Sequence, residues 1–197
     1  MPGVDIIRRG ISEEVCVEAA AEIRARADVE TTITIRNGTN LNACGKRRGV
    51  PMDGGWSVVR KLSQLLRGER ELDGRIMSDA SGLLRQRGCR YQEWHVDFPP
   101  FDPDSVVRKP RTAWVVLENG ASLDIGLVPS YVACTLAAAS LGVGDVVLFD
   151  GDVPHRGVAY SSRSVVSMHA YLDVPDVARM RDPHAHGSFH SVLGFPH

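Results

Sequence analysis

The chain has 197 residues, a length that fits one domain around one core and leaves little room for a two-domain dinucleotide enzyme. Hydrophobic residues at 43% and charged residues at 24% exclude a disordered or collagen-like chain. With 23 basic and 24 acidic side chains the net charge is −1, so no polyelectrolyte field draws in a phosphate backbone and nucleic acid is not the expected partner. No apolar run approaches the ~20 residues that span a bilayer. The first ten residues lack the basic flank and apolar stretch of a secretory signal, which makes a reducing cytoplasm the expected location. Cys16, Cys44, Cys89 and Cys134 are widely spaced and read as free thiols, not as a zinc site or disulfide framework.

In chain order, Ser12 is placed to cap a helix running to about Ala27, with Glu13 and Glu14 at its positive end and Val15, Ala19 and Ile23 at helical spacing. The β-branched run Thr31 to Ile35 predicts a strand. Arg36 to Trp56 carries Asn37-Gly38, Gly45, Gly49, Pro51 and Gly54-Gly55, a punctuation that predicts one long loop. Its Lys46, Arg47 and Arg48 would either steer an acidic substrate or lie solvated at the surface. A second helix opens at Ser57, puts Val58, Val59, Leu62, Leu65 and Leu66 on one face, and ends near Gly68.

From Arg90 onward short β-rich segments alternate with turns, the texture of a sandwich or barrel. The expected strands are Cys89 to Asp97, Thr112 to Glu118, Ser122 to Val128, Tyr131 to Leu136, Asp145 to Asp150 and Arg163 to Asp173. Asn119-Gly120 predicts a tight hairpin, and Ala137 to Ala139 fits either a strand or a helical turn. The expected fold class is mainly β with flanking helices.

Three elements carry chemistry. In His95-Val96-Asp97, at the end of an expected strand, an imidazole and a carboxylate project from the same face. Fifty-eight residues beyond Asp97, the strand Gly144 to Asp150 and a turn lead to Pro154-His155-Arg156-Gly157. Two histidines and one carboxylate on one face of a metal form the facial triad of non-haem Fe(II) oxygenases and leave three positions open. Arg163, eight residues after His155, would enter a central strand, where its planar fork suits a carboxylate in bidentate fashion.

Together Tyr91-Gln-Glu-Trp-His-Val-Asp-Phe-Pro-Pro100, Leu117-Glu-Asn-Gly-Ala-Ser-Leu123, Gly144-Asp-Val-Val-Leu-Phe-Asp150, Pro154-His-Arg-Gly157 and Arg163 resemble the 2-oxoglutarate- and Fe(II)-dependent dioxygenase superfamily, over roughly Arg90 to Val174. The resemblance implies a double-stranded β-helix (jelly roll, cupin-like), with His95, Asp97 and His155 holding Fe(II) at its open end and Arg163 pairing with the far carboxylate of 2-oxoglutarate. It implies one domain over 1–197: helical support and loop over 1–88, a catalytic jelly-roll core over 89–174, and a tail over 175–197. The implied reaction consumes O2, converts 2-oxoglutarate to succinate and CO2, and hydroxylates a C–H bond of a small-molecule or protein substrate. Asp97 disfavours halogenation, because related halogenases carry a small residue there.

The chain departs from the family pattern after His155: Arg163 lies closer than usual, and Val165 stands where a serine is common. Tyr91, Tyr131 or Ser167 would then complete the carboxylate site. An arginine at 163 disfavours the prolyl hydroxylase branch, which normally uses lysine there, and no Arg-x5-Arg pair marks a nucleic-acid demethylase. His169 is expected in the core, and Asp150 or Asp152 as turn formers that could orient His155. Trp94 and Trp114 read as packing residues. The tail with His184, His186 and His190 reads as a mobile segment or site cover. Two other functions fit the same residues: a cupin-like dioxygenase or zinc hydrolase without 2-oxoglutarate, and a non-enzymatic jelly-roll binding protein.

Overall fold

The computed structural model describes residues 3–27, 46–92, 94–98, 100–101, 108–126, 140–175 and 177, together with the backbone of 127 and 132–136. Two antiparallel sheets face each other. The larger has the order β1 (Val4–Ile7), β7 (Val146–Asp150), β4 (Arg111–Val116), β9 (Val165–Asp173), β3 (Ile76–Arg85) and β2 (Arg47–Pro51). The smaller has the order β6 (Val132–Leu136), β5 (Leu123–Leu127) and β8 (His155–Gly157). This is the mainly β, double-stranded β-helix architecture that the motifs imply.

Two helices cover the outer face of the larger sheet. In α1 (Glu13–Ala27) acidic residues open the first turn and Arg24 and Arg26 close the last, complementing the helix dipole. Its buried stripe, Cys16, Ala19, Ala20, Ile23 and Ala27, recurs at three- and four-residue steps. The helix α2 (Ser57–Gly68) buries Val58, Val59, Leu62 and Leu66 in the same cluster. Opposite them lie Ala113 and Val115 of β4, Val146 and Leu148 of β7, and Val166, Met168, Ala170 and Leu172 of β9. At ~1.5–3 kcal/mol for each large aliphatic side chain buried, this layer is the main source of stability.

Several sequence expectations change. The segment 1–88 is not only support: β1, β2 and β3 belong to the main sheet, and β3 lies between β9 and β2. The strand β3 carries Ser78, Asp79, Ser81 and Gly82, all poor strand formers, and its register shifts between Ser78 and Ser81, with Asp79 at φ 41°. Partners on both sides hold it extended. Part of the expected loop is likewise a strand, β2, which tolerates Pro51 at its end because it is an edge.

Asn119-Gly120 does not close a hairpin. The strands around it belong to different sheets, β4 pairing with β7 and β9 while β5 pairs with β6 and β8. Cys89 to Asp97 is no regular strand, because the backbone bonds of its described residues are divided among Tyr160, which pairs with Cys89, β8, through Gln92 and His95, and the Gly151 carbonyl, which accepts from Asp97 and Phe98. Cys16 and Cys89 are buried free thiols. The expected strand at Thr31 to Ile35, Cys44, the Cys134 side chain, Ala137 to Ala139 and the histidine-bearing tail lie outside the described residues. No helix among the described residues is long and apolar enough to cross a membrane.

Candidate metal centre

His155 opens β8 and faces Ile125 of β5. His95 approaches it from the other edge of β8, where the two residues exchange backbone hydrogen bonds of 3.1 and 2.9 Å. Their rings lie 4.4 Å apart, and the Phe149 ring packs 4.7 Å from His155. Asp97 follows two residues after His95, its Oδ2 lying 3.6 Å from His155 Nε2. One ligand atom from each of His95, Asp97 and His155 lies within 4.8 Å of the others, so the three side chains can close on a single ion.

Neighbouring groups fix the orientation of these side chains. His155 Nδ1 donates to the Val153 carbonyl at 3.1 Å, which fixes the ring and turns Nε2 toward Asp97. The Thr112 hydroxyl, at the start of β4, donates to Asp97 Oδ2 at 2.6 Å. Burial opposes ionisation of Asp97, but the adjacent His155 and His95 and the Thr112 hydroxyl outweigh it and hold the carboxyl below the usual carboxylate range. Asp150 and Asp152 do not touch His155. Asp150 pairs with Arg111 at 3.3 Å and Asp152 with Lys109 at 3.2 Å instead.

The residues expected to bind a carboxylate separate. Arg163 precedes β9 in an exposed turn, its guanidinium lying over Gly120. The strand begins two residues later, at Val165, so Arg163 never enters the barrel. Tyr91 is 56% exposed and stacks on Arg156 instead of pointing inward, since the segment carrying it lacks the alternation of a strand. Tyr131 lies outside the described residues. Ser167 does face the interior, fully buried, and accepts a hydrogen bond from Trp114 Nε1 at 3.1 Å. Trp94 and Trp114 are both buried.

The interior holds a cation that sequence reasoning missed. Arg85, at the end of β3, pairs in register with Val165 and lies on the face that carries Ser167 and His169. It is 2% exposed and its guanidinium sits 5.9 Å from the Trp114 ring. Its Nη1 has no hydrogen-bond partner, Tyr160 is its polar neighbour, and no carboxylate of the described residues pairs with it. Burial pulls this guanidinium below its ordinary value, as expected of a desolvated cation that no carboxylate of the described residues pairs. Arg47, opposite it on β2, is also buried instead of steering substrate at the surface, and donates to the carbonyls of Arg90, Gly157 and Val158. Both guanidinia press on β8 beside the triad. A Cβ on Gly157 would lie 2.6 Å from Arg47 Nη1 and 3.3 Å from Arg85 Nε, so the glycine of Pro-His-Arg-Gly is there for close approach.

His169 lies near enough to Asp97 to favour its ionised form and stacks edge-on with Tyr171 at 5.2 Å. It is half-buried on the face that carries Ser167, instead of lying in the core as expected. The sequence signal for Arg85 was weak: an arginine four residues before Cys89 in a segment without strand character.

No protein-family model matches the chain, and no curated protein matches it either. Solved structures do resemble it. A Pseudomonas putida prolyl-4-hydroxylase superposes with a TM-score of 0.60 at 19% identity, covering 87% of this chain and 92% of that one. The non-haem alpha-ketoglutarate-dependent epimerase SnoN from nogalamycin biosynthesis gives 0.61 at 18%, covering 94% and 87%. HygX from Streptomyces hygroscopicus, solved with nickel and 2-oxoglutarate bound, gives 0.60 at 13%, covering 93% and 87%. The chain therefore shares its double-stranded β-helix fold with solved 2-oxoglutarate-dependent non-haem oxygenases.

Proposed function

We propose that the chain is an Fe(II)- and 2-oxoglutarate-dependent oxygenase that hydroxylates a C–H bond of a small-molecule or protein substrate. The observation that carries this reading is the convergence of His95, Asp97 and His155 within 4.8 Å, with His155 Nδ1–H donating to the Val153 carbonyl. Bound Fe(II) would supply the oxidising chemistry with O2, the co-substrate leaving as succinate and CO2. The protein's part is aim. His95, Asp97 and His155 would hold the ion, and the Thr112 hydroxyl fixes the orientation of the Asp97 carboxylate.

Arg85 supports the co-substrate assignment and takes the role expected of Arg163. A buried guanidinium that no carboxylate of the described residues pairs is costly unless an anion reaches it, and a dicarboxylate entering from the mouth would supply one. Ser167 and Tyr160 offer hydroxyls on the same interior wall. A metal hydrolase that acts through bound water has no use for this cation, which is why we favour the 2-oxoglutarate reading over the hydrolase. With Arg163 outside the barrel, its identity no longer argues against substrates of the prolyl hydroxylase kind.

The test is anaerobic visible absorption of the metal-free protein titrated with Fe(II) and then 2-oxoglutarate, beside Asp97→Ala. The expected result is a metal-to-ligand charge-transfer band that needs both additions and is lost in the variant. Folded wild-type protein giving no band would overturn the proposal.

A further inference from the structure

Trp94 and Arg156, the residues next to two members of the triad, meet on its outer side. Arg156 follows His155 in β8, so alternation turns it away from the barrel interior. Its guanidinium carbon lies 4.7 Å from the ring of Trp94, which precedes His95, and 4.4 Å from the ring of Tyr91. Its Nε donates to Asp124 Oδ2 of β5 at 2.9 Å, a carboxylate whose side chain is 5% exposed. One guanidinium thus ties together β5, β8 and the segment that carries His95 and Asp97.

That segment needs such a tie. Among the described residues its backbone is joined to β8 at His95, through the reciprocal bonds with His155, and at Gln92, whose amide donates to the Gly157 carbonyl while its Oε1 accepts from Gly157 N, both at 2.9 Å; beyond β8 it is held at Cys89 by Tyr160 and at Asp97 and Phe98 by the Gly151 carbonyl. A short, irregular pairing specifies register weakly, and a slip of one residue would exchange His95 and Asp97 for their neighbours. Arg156 opposes the slip from behind, because Trp94 can lie on the guanidinium only when His95 faces His155. A flat guanidinium can stack on a ring and donate to a carboxylate at once, which an ammonium does poorly.

We infer that Arg156 is a positioning residue for the metal centre: stacked on Tyr91 and Trp94 and tethered by Asp124, it sets the register in which His95 and Asp97 meet His155. The inference rests on reading those three residues as metal ligands. Arg156 does not touch the ion; it acts through the two backbones that present the imidazoles.

The experiment loads metal-free protein with Co(II), whose d–d absorption reports ligand number and geometry, and compares wild type with Arg156→Gln, Arg156→Lys and Tyr91→Ala. Arg156→Gln is expected to weaken Co(II) binding by ~10- to 100-fold, the range for groups that orient metal ligands, and to change the d–d spectrum. Arg156→Lys should recover part of both. Tyr91→Ala removes a ring that is 56% exposed, so the protein stays folded while affinity falls several-fold. Unchanged spectra, with affinities within about twofold of wild type, in Arg156→Gln or, should that variant fail to fold, in Tyr91→Ala would overturn the inference and leave the metal site standing. Wild type that takes up no Co(II) would instead remove the metal site, and the inference with it.

Discussion

The two faces of the six-stranded sheet are made from alternate residues of the same strands. Toward the helices, Ala113, Val115, Met168, Ala170 and Leu172 present aliphatic surface to α1 and α2. Toward the smaller sheet, the intervening residues include Thr112, Arg85, Ser167 and His169, around an apolar cluster with Trp114, Phe149 and Val165. The two-residue period of a strand lets one backbone serve both. The helix face can bear the polar face's costs, above all a buried cation, because its own burial is complete. Stability and ligand binding should therefore separate under mutation.

The largest effect is expected on the helix face. Met168→Ala, at a fully buried position, should cost ~2–5 kcal/mol of stability in urea denaturation. Affinities of the folded variant for metal and 2-oxoglutarate should stay as in wild type. Weakened metal binding in folded Met168→Ala would show that the two faces are coupled.

On the barrel face the order reverses. Arg85→Met should raise the dissociation constant for 2-oxoglutarate on the order of 100-fold, from the loss of charge-assisted hydrogen bonds, and should stabilise the ligand-free protein by ~1–3 kcal/mol by removing an unpaired buried charge. Arg163→Ala should leave both within about twofold. Calorimetry on the two variants sharpens the comparison, and a reversed pattern would make Arg85 a purely structural cation. A smaller loss than that of Arg85→Met is expected at Thr112→Val, which keeps the shape but removes the donor to Asp97 Oδ2. Metal affinity should fall ~10- to 100-fold, with the melting transition little changed.

How much of this was legible in the sequence follows from the range of each signal. The helices α1 and α2 could be read because their apolar stripes repeat every three or four residues, and β4, β7 and β9 because runs such as Val146 to Phe149 have no other reading. His95, Asp97 and His155 could be read because the chemistry demands those residue types in that order. The strand β3 could not, because Ser78-Asp79-Ala80-Ser81-Gly82 has no strand preference of its own and is kept in the sheet by β9 and, from Ser81 on, by β2. Asn119-Gly120 misled for a related reason: a turn motif specifies a change of direction, not which sheet the next strand joins.

The sequence by itself determined the make-up of the candidate triad, both helices and the central apolar strands, since each is written within a few residues by periodicity or by residue chemistry. Only the tertiary structure decided which arginine lies inside. Arg163 comes two residues before the first residue of β9 and stays in solvent, while Arg85 is drawn in by the pairing of β3 with Val165 and the rest of β9. Burial of a charge depends on register between strands far apart in the chain, and no local pattern encodes that distance.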